Sequence, residues 1–154
     1  MNLLKSVLHN LGVTAVSFAF AFIGYGLDTL LGLAEFRSLA TEILGALLLL
    51  AGFLLRVWAT FDFYQRQMKV LSLVPQKQLI SSGPYRFSRN PLYLGGNVFM
   101  FLGAVLAIGT PAGMFLTLVN IIAVDRMIRR EEKQLERDFG QEWTRYRSQV
   151  RRWI

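Results

Sequence analysis

Residues 39–61 read LATEILGALLLLAGFLLRVWATF. Glu42 near one end and Arg56 near the other are the only ionisable interruptions in a run built on Leu47, Leu48, Leu49, Leu50, Leu54 and Leu55. At a helical rise of about 1.5 Å per residue, such a run crosses a hydrocarbon core about 30 Å thick. It reads as a transmembrane helix, and the rest of the chain follows from asking what accompanies it.

Three further stretches have the same character. Leu11 to about Ala34 carries Asp28 as its only charged residue, and Tyr93 to about Thr110 carries none. A fourth runs from Pro111 to about Val124; it is short for a crossing unless it continues through Met127 and Ile128, with Arg126 snorkelling to the headgroups. Pro111 suits a helix N-terminus, so a tight hairpin is expected between the third and fourth spans. The expected fold is an all-α polytopic membrane protein with about four transmembrane helices. A composition 53% hydrophobic agrees with it. The first apolar run is too long for a signal-peptide core and lacks a clear small-residue cleavage site.

Composition also excludes chemistry. With no Cys there is neither a disulfide framework nor a thiolate nucleophile, and His9 as the sole histidine argues against a zinc or di-iron site. The formal charge of +7 is explained by sidedness. With four spans and both termini on one side, Lys5, Arg56, Arg66, Lys69, Lys77, Arg86 and Arg89 share that side with Arg126, Arg129, Arg130, Lys133, Arg137, Arg145, Arg147, Arg151 and Arg152. Arg37 alone lies opposite. The positive-inside rule makes the crowded side cytoplasmic, and no nucleic-acid partner is needed to explain the charge.

The chain therefore reads as one domain over 1–154. Residues 1–62 hold two N-terminal spans, 63–92 a cytoplasmic loop, 93–128 a helical hairpin and 129–154 a cytoplasmic helix and tail. The connection from Asp62 to Asn90 is broken by Pro75, Ser81-Ser82-Gly83-Pro84 and Asn90-Pro91. From Asp125 onward an amphipathic helix is expected, with Ile128, Leu135 and Phe139 on one face and Gly140 as its interruption or C-cap. A basic-aromatic tail follows, with Trp143, Tyr146, Val150 and Trp153.

Two polar cassettes stand out against this background. The first is residues 83–95, GPYRFSRNPLYLG. Pro84 and Pro91 stiffen its backbone, Pro91 biases Asn90 away from helix, and Gly83 permits a turn. Tyr85, Arg89, Asn90 and Tyr93 supply an aromatic face, a fixed cation, an amide and a phenol. The second is Arg129-Arg130-Glu131-Glu132, whose glutamates flank the apolar stripe of Ile128 and Leu135. A carboxylate on a packing face needs a partner: a bound cation, a ribose hydroxyl or Arg89 would each serve. Composition alone also allows an interfacial belt for the first cassette and a solvated helix face for the second.

The order of these segments resembles the isoprenylcysteine carboxyl methyltransferase and phospholipid methyltransferase superfamily of integral-membrane enzymes. The resemblance rests on Gly83-Pro84-Tyr85, Arg89-Asn90-Pro91-Leu92-Tyr93, a short two-helix hairpin, Glu131-Glu132-Lys133-Gln134-Leu135, and Phe139-Gly140-Gln141-Glu142-Trp143-Thr144-Arg145-Tyr146. It covers about residues 76–152. The family's histidine in the R-H-P motif is Asn90 here, which hydrogen-bonds but does not titrate near neutral pH.

The resemblance implies S-adenosylmethionine as cofactor and a lipid or other amphipathic acceptor at the cytoplasmic membrane face. It puts Gly83, Pro84, Tyr85, Arg89, Asn90, Tyr93, Glu131 and Glu132 in the cofactor site, with Arg89, Asn90 and Tyr93 closest to the chemistry. Arg89 suits the donor's carboxylate, and Glu131 or Glu132 its ammonium or ribose. Tyr85, Tyr93, Phe87 or Trp143 suits adenine or the sulfonium. Arg56 and Trp143 are candidates for substrate contact; no metal is expected. Outside that site Arg56 reads as a snorkelling residue, Asp28 as interfacial on the far side and His9 as an exposed juxtamembrane residue. Two other classes remain open: an NADPH-dependent membrane reductase of the sterol reductase type, and a non-enzymatic lipid-binding scaffold.

Overall fold

The structure is a computed structural model and describes residues 2–67 and 78–154. Lys69, Pro75 and Lys77, which figure in the loop and the charge distribution above, lie outside the described residues. The elements in order are α1 (Asn2–Leu31), α2 (Leu39–Gln65), a 3₁₀ turn (Gly83–Arg86), α3 (Pro91–Tyr93), a π-helical segment (Leu94–Met100), α4 (Phe101–Ile108), α5 (Pro111–Phe139) and α6 (Gln141–Gln149). Four helices are long and apolar enough to span a bilayer: Asn2–Leu31, Leu39–Gln65, Pro91–Ile108 and Pro111–Phe139. The protein is an all-α integral membrane protein, with no strand among the described residues.

Several boundaries differ from the sequence reading, for one reason. Hydropathy marks where lipid begins, whereas a helix continues until a breaker stops it. α1 therefore starts at Asn2 rather than Leu11, and α2 runs through Asp62 to Gln65 before the connection begins. No break separates the fourth span from the amphipathic helix at Asp125 or Ile128. α5 is one rod to Phe139 because nothing after Gly113 interrupts it until Gly140, whose φ of 51° ends it. At its start Thr110 caps the helix, its hydroxyl accepting from the Gly113 N–H at 3.0 Å, and Pro111 occupies the first turn as expected.

α2 lies against the third span with little side chain between them. A Cβ on Gly52 would meet the Gly95 carbonyl oxygen at 2.5 Å, and one on Gly45 would meet the Gly103 carbonyl oxygen at 2.6 Å. Backbone approaches of this kind are how spans pack where lipid removes any hydrophobic drive. Around this contact Ala21, Ala104 and Val105 form a core between the spans with Phe18, Leu49, Ile108 and Met114 against it. A second cluster of Ala59, Phe63, Ile80 and Tyr85, with Leu92, lies at the end that carries the first cassette. Phe22, Ile43, Leu47, Phe115 and Ile122 remain exposed on the outer faces, as lipid-facing positions should.

The end away from the cassettes is closed by a buried carboxylate. Asp28 is 1% exposed, accepts from the Ala112 N–H at 2.8 Å and accepts a second hydrogen bond from the Thr110 hydroxyl. The expectation that Asp28 sits at the interface is thus corrected. The N-terminus of α5 presents unpaired N–H groups and a positive dipole end, and a carboxylate from α1 satisfies both.

Candidate functional site

Arg56 does not snorkel. It is buried between α1, α2 and the first cassette. Its Nε donates to Asn10 Oδ1 at 2.8 Å, its Nη1 donates to the Leu92 carbonyl at 2.6 Å, and Nη2 lies 3.4 Å from His9 Nε2. His9 is accordingly half-buried rather than exposed. The seam continues as Asn10 Nδ2 donates to Thr60 Oγ1 at 2.8 Å and Ser6 meets Thr60. A guanidinium inside a membrane must be satisfied by partners, and these supply them. Gly96 makes room for it, because a Cβ there would lie 2.7 Å from Arg56 Nη1. The π-helical turn that follows is a feature common at functional sites.

The first cassette returns to α2 through a tight turn. Gly83 has φ 57°, and a Cβ there would meet Asp62 Oδ2 at 2.7 Å. Pro84 and Tyr85 are buried behind it, with the Tyr85 ring packed in the cluster with Ala59 and Phe63. Burial pushes the Tyr85 phenol well above its usual range. Its carbonyl accepts the Tyr146 hydroxyl at 2.8 Å, which fastens α6 onto the cassette. Phe87 is exposed, beside Trp58.

Downstream, the two cassettes meet. Pro91 keeps Asn90 out of helix, at φ −131° and ψ 51°. Residues 88–90 run alongside the C-terminal segment: the Arg89 N–H donates to the Arg151 carbonyl at 3.0 Å, and Asn90 Nδ2 donates to the Arg152 carbonyl at 3.2 Å. Tyr93 donates its phenol proton to Glu131 Oε1 at 2.8 Å. Arg89 Nη2 lies 3.2 Å from Glu132 Oε1, with both side chains 8% exposed. Arg89 also stands over the Trp143 ring, 5.5 Å from Cζ to centroid, and Trp143 is fully buried against Tyr146.

The electrostatics of this meeting place are uneven. Burial lowers the Arg89 pKa, with Glu132 opposing the shift. Nε and Nη1 of Arg89 are buried and without a hydrogen-bond partner, and so is Nε1 of Trp143. Buried donors are nearly always paired, so a cluster of unpaired ones calls for an acceptor. Glu132 and Arg152 also line a cleft of about 360 Å³ with Arg129, Lys133, Glu136 and Arg147, while Arg89 and Trp143 lie behind Glu132 and not in its wall. That volume falls within the range of about 300–1,000 Å³ usual for small-molecule sites. No cluster of metal-ligating side chains occurs among the described residues.

The model of the phospholipid methyltransferase family matches residues 40–142, more than half of the chain. The chain belongs to the phospholipid methyltransferase family. It is accordingly a membrane methyltransferase. No curated protein and no solved structure matches the chain. The match starts within α2 and runs to α6, so it takes in Arg56, the first cassette and the glutamate pair while leaving out α1.

Set against the sequence expectations for this methyltransferase, the structure gathers Arg89, Asn90, Tyr93, Glu131, Glu132 and Trp143 at one end of the bundle. Gly83, Pro84 and Tyr85 lie behind them as the turn against α2. Arg56 stands on the far side of Leu92, engaged with α1. The residue that sequence reasoning missed is Arg152. Its Nη2 reaches Glu132 Oε2 at 2.7 Å, its Nε lies 3.2 Å from each oxygen, and the bond to Glu132 raises its pKa. In the sequence Arg152 is one of several tail cations, and nothing local sets it apart.

Proposed function

We propose that the protein transfers a methyl group from S-adenosylmethionine to a lipid or other amphipathic acceptor at the cytoplasmic membrane face. The observation that carries this reading is the set of buried, unpaired donors on Arg89 and Trp143, next to a carboxylate pair. A donor with an α-carboxylate, an ammonium and a ribose diol matches that mixed set. Arg89 Nε and Nη1, which point to either side of the nitrogen held by Glu132, would donate charge-assisted bonds to the carboxylate and to a second acceptor of the donor. Glu131 and Glu132 would accept from the ammonium or ribose, and Trp143 and Tyr93 would flank the remaining ring or the sulfonium. Gly83, Pro84 and Tyr85 hold the turn that keeps this wall in place, and Asn90 ties it to the C-terminal segment. A dinucleotide such as NADPH would bring phosphates against Glu131 and Glu132, a poor match for that wall.

When bound, S-adenosylmethionine supplies a methyl group already activated by its sulfonium. The chain's own contribution is alignment and exclusion of water, and alignment alone accounts for about 7–11 kcal/mol of barrier in favourable cases. With the donor held by Arg89 and the glutamates, that methyl group would pass to the acceptor's lone pair, and the carbon–sulfur electron pair would leave with the sulfur. No imidazole lies among the described residues around Arg89, since His9 is against Arg56. A carboxylate or an already neutral amine is then the easier acceptor, since neither must first shed a proton. The charge distribution along the chain supports a cytoplasmic position for the cassettes and both termini, and the shared packing of all four spans supports a single domain.

The test is calorimetric titration of detergent-purified protein with S-adenosylmethionine and, separately, NADPH. Labelled methyl donor is then incubated with protein and a total lipid extract. Donor binding and a labelled lipid are expected. Binding of NADPH alone would overturn the reading.

A further inference from the structure

The C-terminal five residues form a strap whose role the family match does not reach, because that match ends at residue 142. α6 stops at Gln149 and Val150 turns extended, at φ −122° and ψ 131°. The strap then runs beside the first cassette. Its Arg151 and Arg152 carbonyls accept from the Arg89 N–H and the Asn90 amide, and Ser88 Oγ donates to the Arg152 carbonyl at 3.3 Å. These are backbone contacts, so the path of the strap does not depend on the Arg152 side chain.

That side chain faces the other way, onto the second cassette. Two guanidiniums compete there for one buried carboxylate. Arg152 approaches Glu132 at three N–O distances of 2.7 to 3.2 Å, and its Nη1 lies 3.6 Å from Asp125 Oδ1. Arg89 is left with a single 3.2 Å approach from Nη2. A buried arginine beside a carboxylate ordinarily closes into a two-point fork, which is the stronger arrangement. Here a fork would recruit Nε or Nη1 beside Nη2, and so consume one of the two Arg89 donors that stand unpaired.

We infer that Arg152 is a positioning residue: by saturating Glu132 it prevents Arg89 from closing a fork on that carboxylate and keeps both Nε and Nη1 of Arg89 free for the acceptors of an anionic ligand. The inference rests on the reading of this cleft as the methyl-donor site for the identity of the ligand, but not for the geometry. Removing the Arg152 guanidinium leaves the strap in place by its carbonyls and releases both Glu132 oxygens. Arg89 then pairs with Glu132 at two points, and the ligand loses one of the two Arg89 donors.

The experiment has two arms on the full-length protein in detergent. In the first, Arg152→Ala weakens S-adenosylmethionine binding by about tenfold, the size of a typical coupling between contacting charges. Arg152→Lys restores part of the loss, because an ammonium still occupies Glu132. The second arm needs no donor. Thermal midpoints are measured for Arg89→Gln, Glu132→Gln and the double variant, with and without Arg152→Ala. The coupling between Arg89 and Glu132 must grow when Arg152 is absent. An unchanged or smaller coupling overturns the inference even where donor affinity falls, because the loss then reflects a purely structural tail. Unaltered donor affinity in folded Arg152→Ala also overturns it. Failure of the wild type to bind donor removes the cofactor reading instead, and the donor-free coupling still decides the role of Arg152.

Discussion

Arg56 and Arg89 are both buried guanidiniums, a few residues of backbone apart through the Leu92 carbonyl, and they differ in one respect. Arg56 has each nitrogen against a partner: Asn10, Leu92 and His9. Arg89 has one nitrogen engaged and two buried without a partner. A charge that is fully answered from within holds a structure together. One that is left partly unanswered is a candidate receptor, because a ligand that supplies the missing acceptors recovers part of the cost of its burial. In a membrane protein both kinds are costly to bury, so the difference separates scaffold from site more sharply than exposure does.

The largest test of the contrast is at Arg89. Arg89→Ala removes both free donors while Arg152 still holds Glu132. Two charge-assisted bonds at about 1.5–3 kcal/mol each imply donor affinity lower by about a hundredfold or more, with the thermal midpoint little changed. Calorimetry and a melting curve on the same sample read both. Arg56→Met should do the reverse. It strands Asn10 Oδ1 and the Leu92 carbonyl, costing about 2–4 kcal/mol of stability with donor affinity largely kept in the folded fraction. A selective rise in KM for the acceptor, with stability intact, would instead make Arg56 a substrate contact.

Asp28 sharpens the scaffold side from the opposite end of the bundle. Asp28→Ala removes the acceptor for Ala112 and Thr110, and a loss of about 2 kcal/mol with unchanged methyl transfer is expected. The smallest effect belongs to Tyr146. Tyr146→Phe deletes one bond to the Tyr85 carbonyl and should cost about 1 kcal/mol. Burial raises the Tyr146 pKa in the folded state, so its contribution is fully present below the unfolded value near pH 10. It is lost as pH rises through the folded value. Alkaline melting curves of the phenylalanine variant should therefore be flatter than those of the wild type.

The site was legible to the extent that its parts are local. Arg89-Asn90-Pro91 and Glu131-Glu132 carry their chemistry in adjacent residues, and a short hairpin between the third and fourth spans is enough to return one to the other. Tyr93 on Glu131 and Arg89 on Glu132 follow from that return. Arg152 was not legible, because a guanidinium in a tail rich in Arg shows no preference until an extended strap sets it beside a particular carboxylate. Asp28 misled for a related reason: a lone acid near a span end has the same local sequence whether it faces headgroups or caps another helix.

The sequence by itself determined the membrane, the number of spans and the crowding of positive charge at one end. Those depend on how each segment compares with hydrocarbon as a solvent, a property read residue by residue. Tertiary structure alone decided which buried charges are closed and which are open. Partners such as Asp28 with Thr110, Arg56 with Asn10 and Glu132 with Arg152 come from different elements. The desolvation cost that makes each pairing necessary exists only once the helices have excluded water and lipid from between them.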